Sequence, residues 1–320
     1  MTEMSRRFLE TALREDLSSF TQRCFHDLVG SAEYMPNWHV DAMAWHLQQC
    51  AAGEIKRLII TVPPRHLKSI MASVAFPAWL LGLDPTLRII CASYGNELAS
   101  KLARDCRSIM GSDWYKHVFA TRISPKKDAE LDFETTRKGN RFGTSVGGAM
   151  TGRGGNFLII DDPLKPADAM SEVGRRTVKD WFDGTAYSRL DSKKNDRIVI
   201  VMQRLHVDDL VGHVLDMGED WVHLDLPSIA EIPVGPGRVH VREPGDILHP
   251  EREDQEVLDT IKDNLGSMVF SAQYQQRPVP AEGNLVSWEW FPRFFHLPAT
   301  EANGWFCQSW DTAASIDDGR

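Results

Sequence analysis

An α/β fold with a parallel central sheet follows from three features of the sequence. Short, wholly apolar segments recur at RLIITV, LRIICASY, FLIID and RIVIVM. Between them lie stretches with apolar residues at helical spacing, such as SIMASVAFPAWLLG and NELASKLARDCRSIMG. Glycine and proline punctuate the joins. Strands apolar along their whole length are those buried on both faces, and intervening helices supply the crossover that parallel pairing needs.

The elements follow in chain order. Residues 1–50 read as helices: FLETALREDLSSFTQRCFHDLV has helical periodicity, and VDAMAWHLQQCAAG ends at a glycine stop. Residues 51–226 carry the α/β core, with EVGRRTVKDWFDGTAYSRL as the helix between FLIID and RIVIVM. From 227 to 303 the texture changes. PSIAEIPVGPGRVHVREPGDILHPERED is rich in Pro and Gly and predicts a small irregular lid or linker subdomain, followed by a helical piece at EVLDTIKDNLGSMVFSAQYQQ. Residues 304–320, GWFCQSWDTAASIDDGR, begin another apolar strand and predict the start of a further domain.

Composition narrows the class. In 320 residues, 42% apolar and 25% charged content is that of a soluble globular chain. The longest apolar run, Ile70 to Leu83, is interrupted by Pro77 and is shorter than the roughly 18 residues of a membrane span. The N-terminus lacks the apolar centre of a signal peptide. Five scattered cysteines without a CxxC pair predict reduced thiols rather than zinc. A net charge of −9 argues against a surface coated in basic groups, but leaves room for a local basic track or a ring around DNA. Lys126-Lys127 and the run SKKNDR at 192–197 are candidate DNA contacts, and equally ordinary solvated loops.

Three segments carry chemistry. In RLIITVPPRHLKSIMASVAF, an apolar strand leads through a tight loop to Lys68-Ser69 and a helix. This is the plan of a phosphate-binding loop: amides of Arg65, His66, Leu67 and Lys68 converge on a polyphosphate, Lys68 adds a point charge, and Ser69 offers a hydroxyl to Mg²⁺. Yet Val62 and Leu67 stand where GxxxxGK followed by Ser or Thr has glycines, and Pro63 and Pro64 cannot donate. With side chains in place of glycine, the loop must open wider or hold a strained backbone. In GRGGNFLIIDDP a strand ends in Asp161-Asp162, one acid suited to Mg²⁺ and the next to orienting and deprotonating water; a turn or cap before Pro163 is the plain alternative. In RIVIVMQRLHVDDL a third strand ends at Gln203, whose amide can meet a γ-phosphate or attacking water, or have no ligand at all. Ligands of parallel sheets bind at the carboxyl ends of strands, where all three segments end.

PPRHLKS, TSVGGAMTGRGGNFLIIDDP, VMQRLHVDDL, AQYQQRP and SWDTA, in this order, resemble the large terminase subunit of tailed phages and prophages, the motor that pumps DNA into empty capsids. The resemblance implies an ASCE-type (RecA-like) P-loop ATPase followed by an RNase H-like nuclease. It implies Lys68 and Ser69 as phosphate-loop residues, Arg65 as a γ-phosphate arginine, Asp161 as the Mg²⁺-site acid, Asp162 as the base and Gln203 as the coupling residue. Arg153 matches a trans-acting arginine finger, though an arginine there also suits a turn. Trp38 and His39 stand at the adenine-contacting segment, although Trp38 also suits a core. Asp311 matches the first nuclease metal ligand, with Mg²⁺ or Mn²⁺ as its ion, in a nuclease completed only by a longer chain. The implied cofactors are ATP and Mg²⁺. The implied partners are double-stranded DNA, the portal protein, the small terminase subunit and further copies of the chain in a ring, a pentamer on the procapsid and a monomer in solution. The implied location is the cytoplasm of the infected bacterium, with no membrane. A helicase-like DNA translocase and a nucleotide-binding module without hydrolysis remain as alternatives.

Overall fold

The computed structural model describes residues 3–150, 152–231 and 242–279. Three helices come first: α1 (Glu3–Glu15), α2 (Leu17–Val29) and α3 (Trp38–Ala52). The long helical stretch expected around residues 8–29 is broken at Asp16, whose carboxylate leaves the helix and accepts from the amides of Ser18 and Ser19 as the cap of α2. Asn37 caps α3, and Gly53 ends it in the left-handed conformation that favours glycine.

The core follows as β1 (Arg57–Thr61), α4 (Phe76–Leu83), β2 (Arg88–Ser93), α5 (Asn96–Gly111), α6 (Asp113–Val118), β3 (Ile123–Asp128), β4 (Asp132–Thr135), β5 (Asn140–Ser145), β6 (Phe157–Asp161), α7 (Glu172–Trp181), β7 (Arg197–Met202), α8 (Leu210–Asp216) and β8 (Val222–Asp225). Helices α9 (Gln255–Leu265) and α10 (Ser267–Gln273) close the described chain. A π-helical turn, Ile70–Ala75, precedes α4 directly.

The eight strands form one sheet in the order β3-β4-β5-β2-β6-β7-β1-β8. From β5 to β8 every pairing is parallel, while β3-β4 and β4-β5 are antiparallel. This is a mixed α/β architecture with a parallel centre, as the sequence predicts. The added antiparallel edge and β8 escape a reading based on apolar runs because ISPKKD, DFET and VHLD are short, polar and half exposed. β5 escapes for another reason: NRFGTS is mostly buried, but through Arg, Gly and Thr rather than through branched apolar residues.

Both sheet faces are covered. Leu58, Ile60, Phe157, Ile159, Val199 and Val201 pack with α2 to α5 in one core, and Ile59, Leu158, Ile160, Ile198 and Ile200 pack with α7 and α8 in the other. Alternate residues of one strand therefore enter opposite cores, which is why these strands read as unbroken apolar runs. Each such side chain adds roughly 1.5–3 kcal/mol by leaving water. The cysteines Cys24, Cys50, Cys91 and Cys106 are free and buried, with burial raising each thiol pKa. No helix among the described residues is long and apolar enough to cross a membrane.

The loop after β7 is held from within by Asp209, which is almost fully buried. Its carboxylate accepts from Arg204 Nε at 2.9 and 3.1 Å, from the Leu205 amide at 3.0 Å and from the Gly212 amide at 3.0 Å, capping α8. Asp209→Ala leaves a largely buried guanidinium without its counter-ion and two amides without an acceptor, so we expect a loss of about 3 kcal/mol or more in urea denaturation. Asp209→Asn, which keeps one acceptor oxygen, is expected to lose less.

Candidate nucleotide site

The strand order brings three loops to one edge. β7 lies between β1 and β6, so the loops leaving β1, β7 and β6 emerge side by side at the carboxyl end of the sheet. Lys68, in the first of them, donates from Nζ to Gln203 Oε1 at 2.7 Å and approaches Asp162 Oδ2 at 3.3 Å. Its side chain is buried, so these two groups provide the partners that a buried ammonium requires.

Asp161, the last residue of β6, is 1% exposed. Its two oxygens accept from Ser69 Oγ at 3.0 Å and Ser73 Oγ at 2.7 Å. Burial and the neighbouring Asp162 charge push this carboxyl up to about 7, against the pull of Ser73, Lys68 and Ser69. A buried acid in this state favours a cation. Among the described residues no group of three or more His, Cys, Asp or Glu side chains is arranged to hold a metal by itself. One hydroxyl and one carboxylate are nevertheless the protein's usual share for nucleotide-bound Mg²⁺, with phosphates and water as the other ligands.

Strain takes the place of glycine in the loop. Arg65 and Leu67 both have φ of +64°, in the left-handed region, and Asp162 has +44°. Pro63 and Pro64 stiffen the approach from β1, and the reversal towards the helix falls on residues with side chains. The Arg65 side chain is exposed. His66 turns inward, its Nδ1 bonded to the Pro64 carbonyl at 2.9 Å. Leu67 O accepts from the Met71 amide at 2.9 Å, which starts the helix, and a first helical turn leaves amides without internal partners.

A recess beside the loop is lined by Tyr34, His39, Arg65, His66, His249 and Arg252, and holds about 30 Å³ of free space. The His39 ring lies 5.3 Å from that of His66 and 5.4 Å from that of His249. Asn37 Oδ1 accepts from the His39 amide and lies 2.7 Å from His39 Nδ1, so Nδ1 carries the ring hydrogen and Nε2 is left as an acceptor. His39 Nε2, His249 Nε2 and Glu253 Oε2 are buried without a protein partner among the described residues. Burial pushes all three histidines below their ordinary range, His66 to about 4, and raises Glu253. Burial thus opposes charge on both His66 and Glu253, whose Nε2 and Oε2 lie 4.0 Å apart.

The other expected residues fall elsewhere. Trp38 packs on the large core, with the Arg242 guanidinium 5.9 Å from its ring, while His39 lines the recess. Arg153 is tied within its own chain: Nη1 donates to Asp132 Oδ2 at 2.7 Å, and the guanidinium lies 3.9 Å from the Phe142 ring centroid. Asp311 lies outside the described residues. Of the site residues missed in the sequence, Ser73 had a signal, since it falls four positions after Ser69 on the same helix face. His249 and Glu253 had none, because they arrive from an irregular segment far along the chain.

No family model and no curated protein matches the sequence. Solved structures do. The HK97 bacteriophage large terminase aligns at a TM-score of 0.48 and 12% identity, over 83% of this chain and 55% of that one. The ATPase domain of a Thermus phage large terminase, solved as a variant, aligns at 0.48 and 12%, over 80% of this chain and 98% of that one. The chain thus spans little more than half the length of the HK97 protein. Scores this low leave the fold resting on the strand order itself.

The histidine cluster sets a pH dependence. Between about pH 6.5 and pH 4, unfolded His66 binds a proton that the folded state refuses, so stability falls as pH drops through this window. In thermal melts, His66→Gln is expected to flatten that fall by up to about 3 kcal/mol.

Proposed function

We propose that this chain is the ATPase part of a viral DNA-packaging motor, a large terminase subunit. The observation that carries the hydrolytic reading is the meeting of Lys68 with Gln203 and Asp162, beside Ser69 on Asp161. The ordered sequence segments supply the motor class.

In this reading the loop amides and Lys68 take the β- and γ-phosphates, displacing Lys68 from Asp162. Ser69 and Asp161 would hold Mg²⁺, which would neutralise phosphate charge. Asp162, freed of its ion pair, lies next to the metal-site acid and can orient and deprotonate the attacking water. Gln203 already touches the lysine that follows the γ-phosphate, so it senses whether that phosphate is present. The exposed Arg65 can swing to the same phosphate. The His39 acceptor suits the exocyclic amine of adenine, where guanine would offer a second acceptor. The recess is too small for a base as it stands, and side-chain movement of Arg65 and Arg252 at its rim would admit one.

Double-stranded DNA, a portal protein, a small terminase subunit and a ring of copies of this chain, five on the procapsid, are the proposed partners, in the cytoplasm of an infected bacterium. Residues 1–50 and 227–303 would flank the 51–226 motor core as base-side segment and lid, and 304–320 would begin a nuclease that a longer chain completes around Mg²⁺ or Mn²⁺, with Asp311 as its first ligand. Arg153 would act on a neighbouring subunit after leaving Asp132 and Phe142.

Phosphate release from ATP with Mg²⁺ and DNA tests the core of this reading. Lys68→Ala and Asp162→Asn are each expected to lower turnover by about 10²-fold or more. Wild type as inactive as the variants at high protein concentration would leave only a nucleotide-binding module, and strand separation by the full protein would favour a helicase-like translocase. Turnover per subunit is expected to rise with protein concentration, and Arg153→Ala to abolish that rise; a flat profile in wild type removes the trans finger.

A further inference from the structure

AQYQQRP, residues 272–278, has no part in the chemistry above, yet Gln275 and Gln276 are buried. Gln275 clamps a neighbouring segment: its Oε1 accepts from the Ile229 amide at 2.9 Å, and its Nε2 donates to Ile229 O at 3.0 Å. Gln276 is 1% exposed and takes φ of +57°, a left-handed conformation unusual for a residue with a long side chain. Its Oε1 accepts from the Arg204 amide at 2.9 Å, and its Nε2 donates to Gln273 O at 2.6 Å. Arg277 then pairs with Asp225, whose other oxygen accepts from Thr61 Oγ1 at 2.7 Å at the end of β1.

Arg204 is the residue after Gln203. On its upstream side Gln203 is fixed by Met202, whose carbonyl accepts from the Val62 amide at 3.2 Å, at the start of the phosphate loop. On its downstream side the backbone is fixed by the Gln276 side chain. We infer that Gln276 is a positioning residue for hydrolysis: it holds the loop after β7 so that the Gln203 amide stays at Lys68 and the γ-phosphate, and so ties α10 to the phosphate state. This rests on the ATPase reading above. The left-handed backbone fits the role, because it turns the buried Gln276 side chain towards the Arg204 amide.

The test separates the side chain from the backbone. Glycine and asparagine both tolerate positive φ, and neither reaches Arg204, so Gln276→Gly and Gln276→Asn retain the turn and lose the contact. In the full chain, each is expected to lower kcat for ATP about tenfold or more, with the Kd for ADP within about threefold of wild type. In a Gln203→Ala background the same substitutions are expected to add nothing further, since Gln276 acts through Gln203. Wild-type turnover in Gln276→Gly, an equal loss of turnover and ADP affinity, or a full additional loss in the Gln203→Ala background would each overturn the inference. Wild type without ATP turnover overturns the ATPase reading and this inference with it, whereas active wild type with unaffected Gln276 variants overturns this inference alone.

Discussion

The arrangement of the site depends on one buried charge. Lys68 is 6% exposed, and an ammonium so far from water must be paired or it costs several kcal/mol. Its partners come from the ends of β7 and β6, one carrying the neutral Gln203 amide and the other the Asp162 carboxylate. With β7 between β1 and β6, the amide stands nearest and the acid a strand further away. In the proposed reading, that spacing lets a polyphosphate replace Asp162 as counter-ion while Gln203 keeps its hold.

Backbone strain is concentrated at the same edge. Of the five described non-glycine residues with positive φ, Arg65, Leu67, Asp162 and Gln276 belong to the loop after β1, the acid pair at the end of β6 and the turn after α10 that holds the residue following Gln203. Each costs on the order of 1 kcal/mol or more relative to an ordinary conformation. Glycine would remove that cost, but also the side chains: His66 and Leu67 wedge the loop against the recess and the core, and Asp162 must carry its carboxylate. The loop is thus held stiffly by two prolines and packed side chains, where a glycine-built loop relies on backbone freedom.

The parallel centre of the fold was legible because double-sided burial writes itself as apolar runs, and the three strand ends could be placed from FLIID, RIVIVM and RLIITV alone. Asp161 and Gln203 stood out because each closes or follows such a run directly, and Lys68 because it ends the loop after one. The antiparallel edge was not, since half-exposed DFET and ISPKKD carry the polarity of loops. The break at Asp16 was present as an N-cap residue inside a periodic stretch, but periodicity hid it. His249 and Glu253 were not readable as site residues, because they arrive from a Pro- and Gly-rich segment with no period of its own, and Gln276 was not, although it ends a helical stretch. A glutamine contact to one backbone amide has no signature in sequence.

The helix after the phosphate loop shows how a local defect becomes part of the site. Pro77 has no N–H to give the Ser73 carbonyl four residues back, and the helix responds with a π-helical turn over Ile70–Ala75. Arg141 Nη2, from β5, donates to that carbonyl at 3.1 Å. This guanidinium is 1% exposed and cannot shed its charge; Nη2 has the Ser73 carbonyl, while Nε and Nη1 are buried without a hydrogen-bond partner among the described residues. Ser73 is then fixed at both ends, its carbonyl by Arg141 and its hydroxyl by Asp161. Ser69 lies one turn earlier on the same face, so the pair of hydroxyls that holds the Asp161 carboxylate is set by the register that Pro77 and Arg141 impose. An ordinary residue at 77 would offer the Ser73 carbonyl an amide of the helix itself, and the contact from Arg141 would then compete with it.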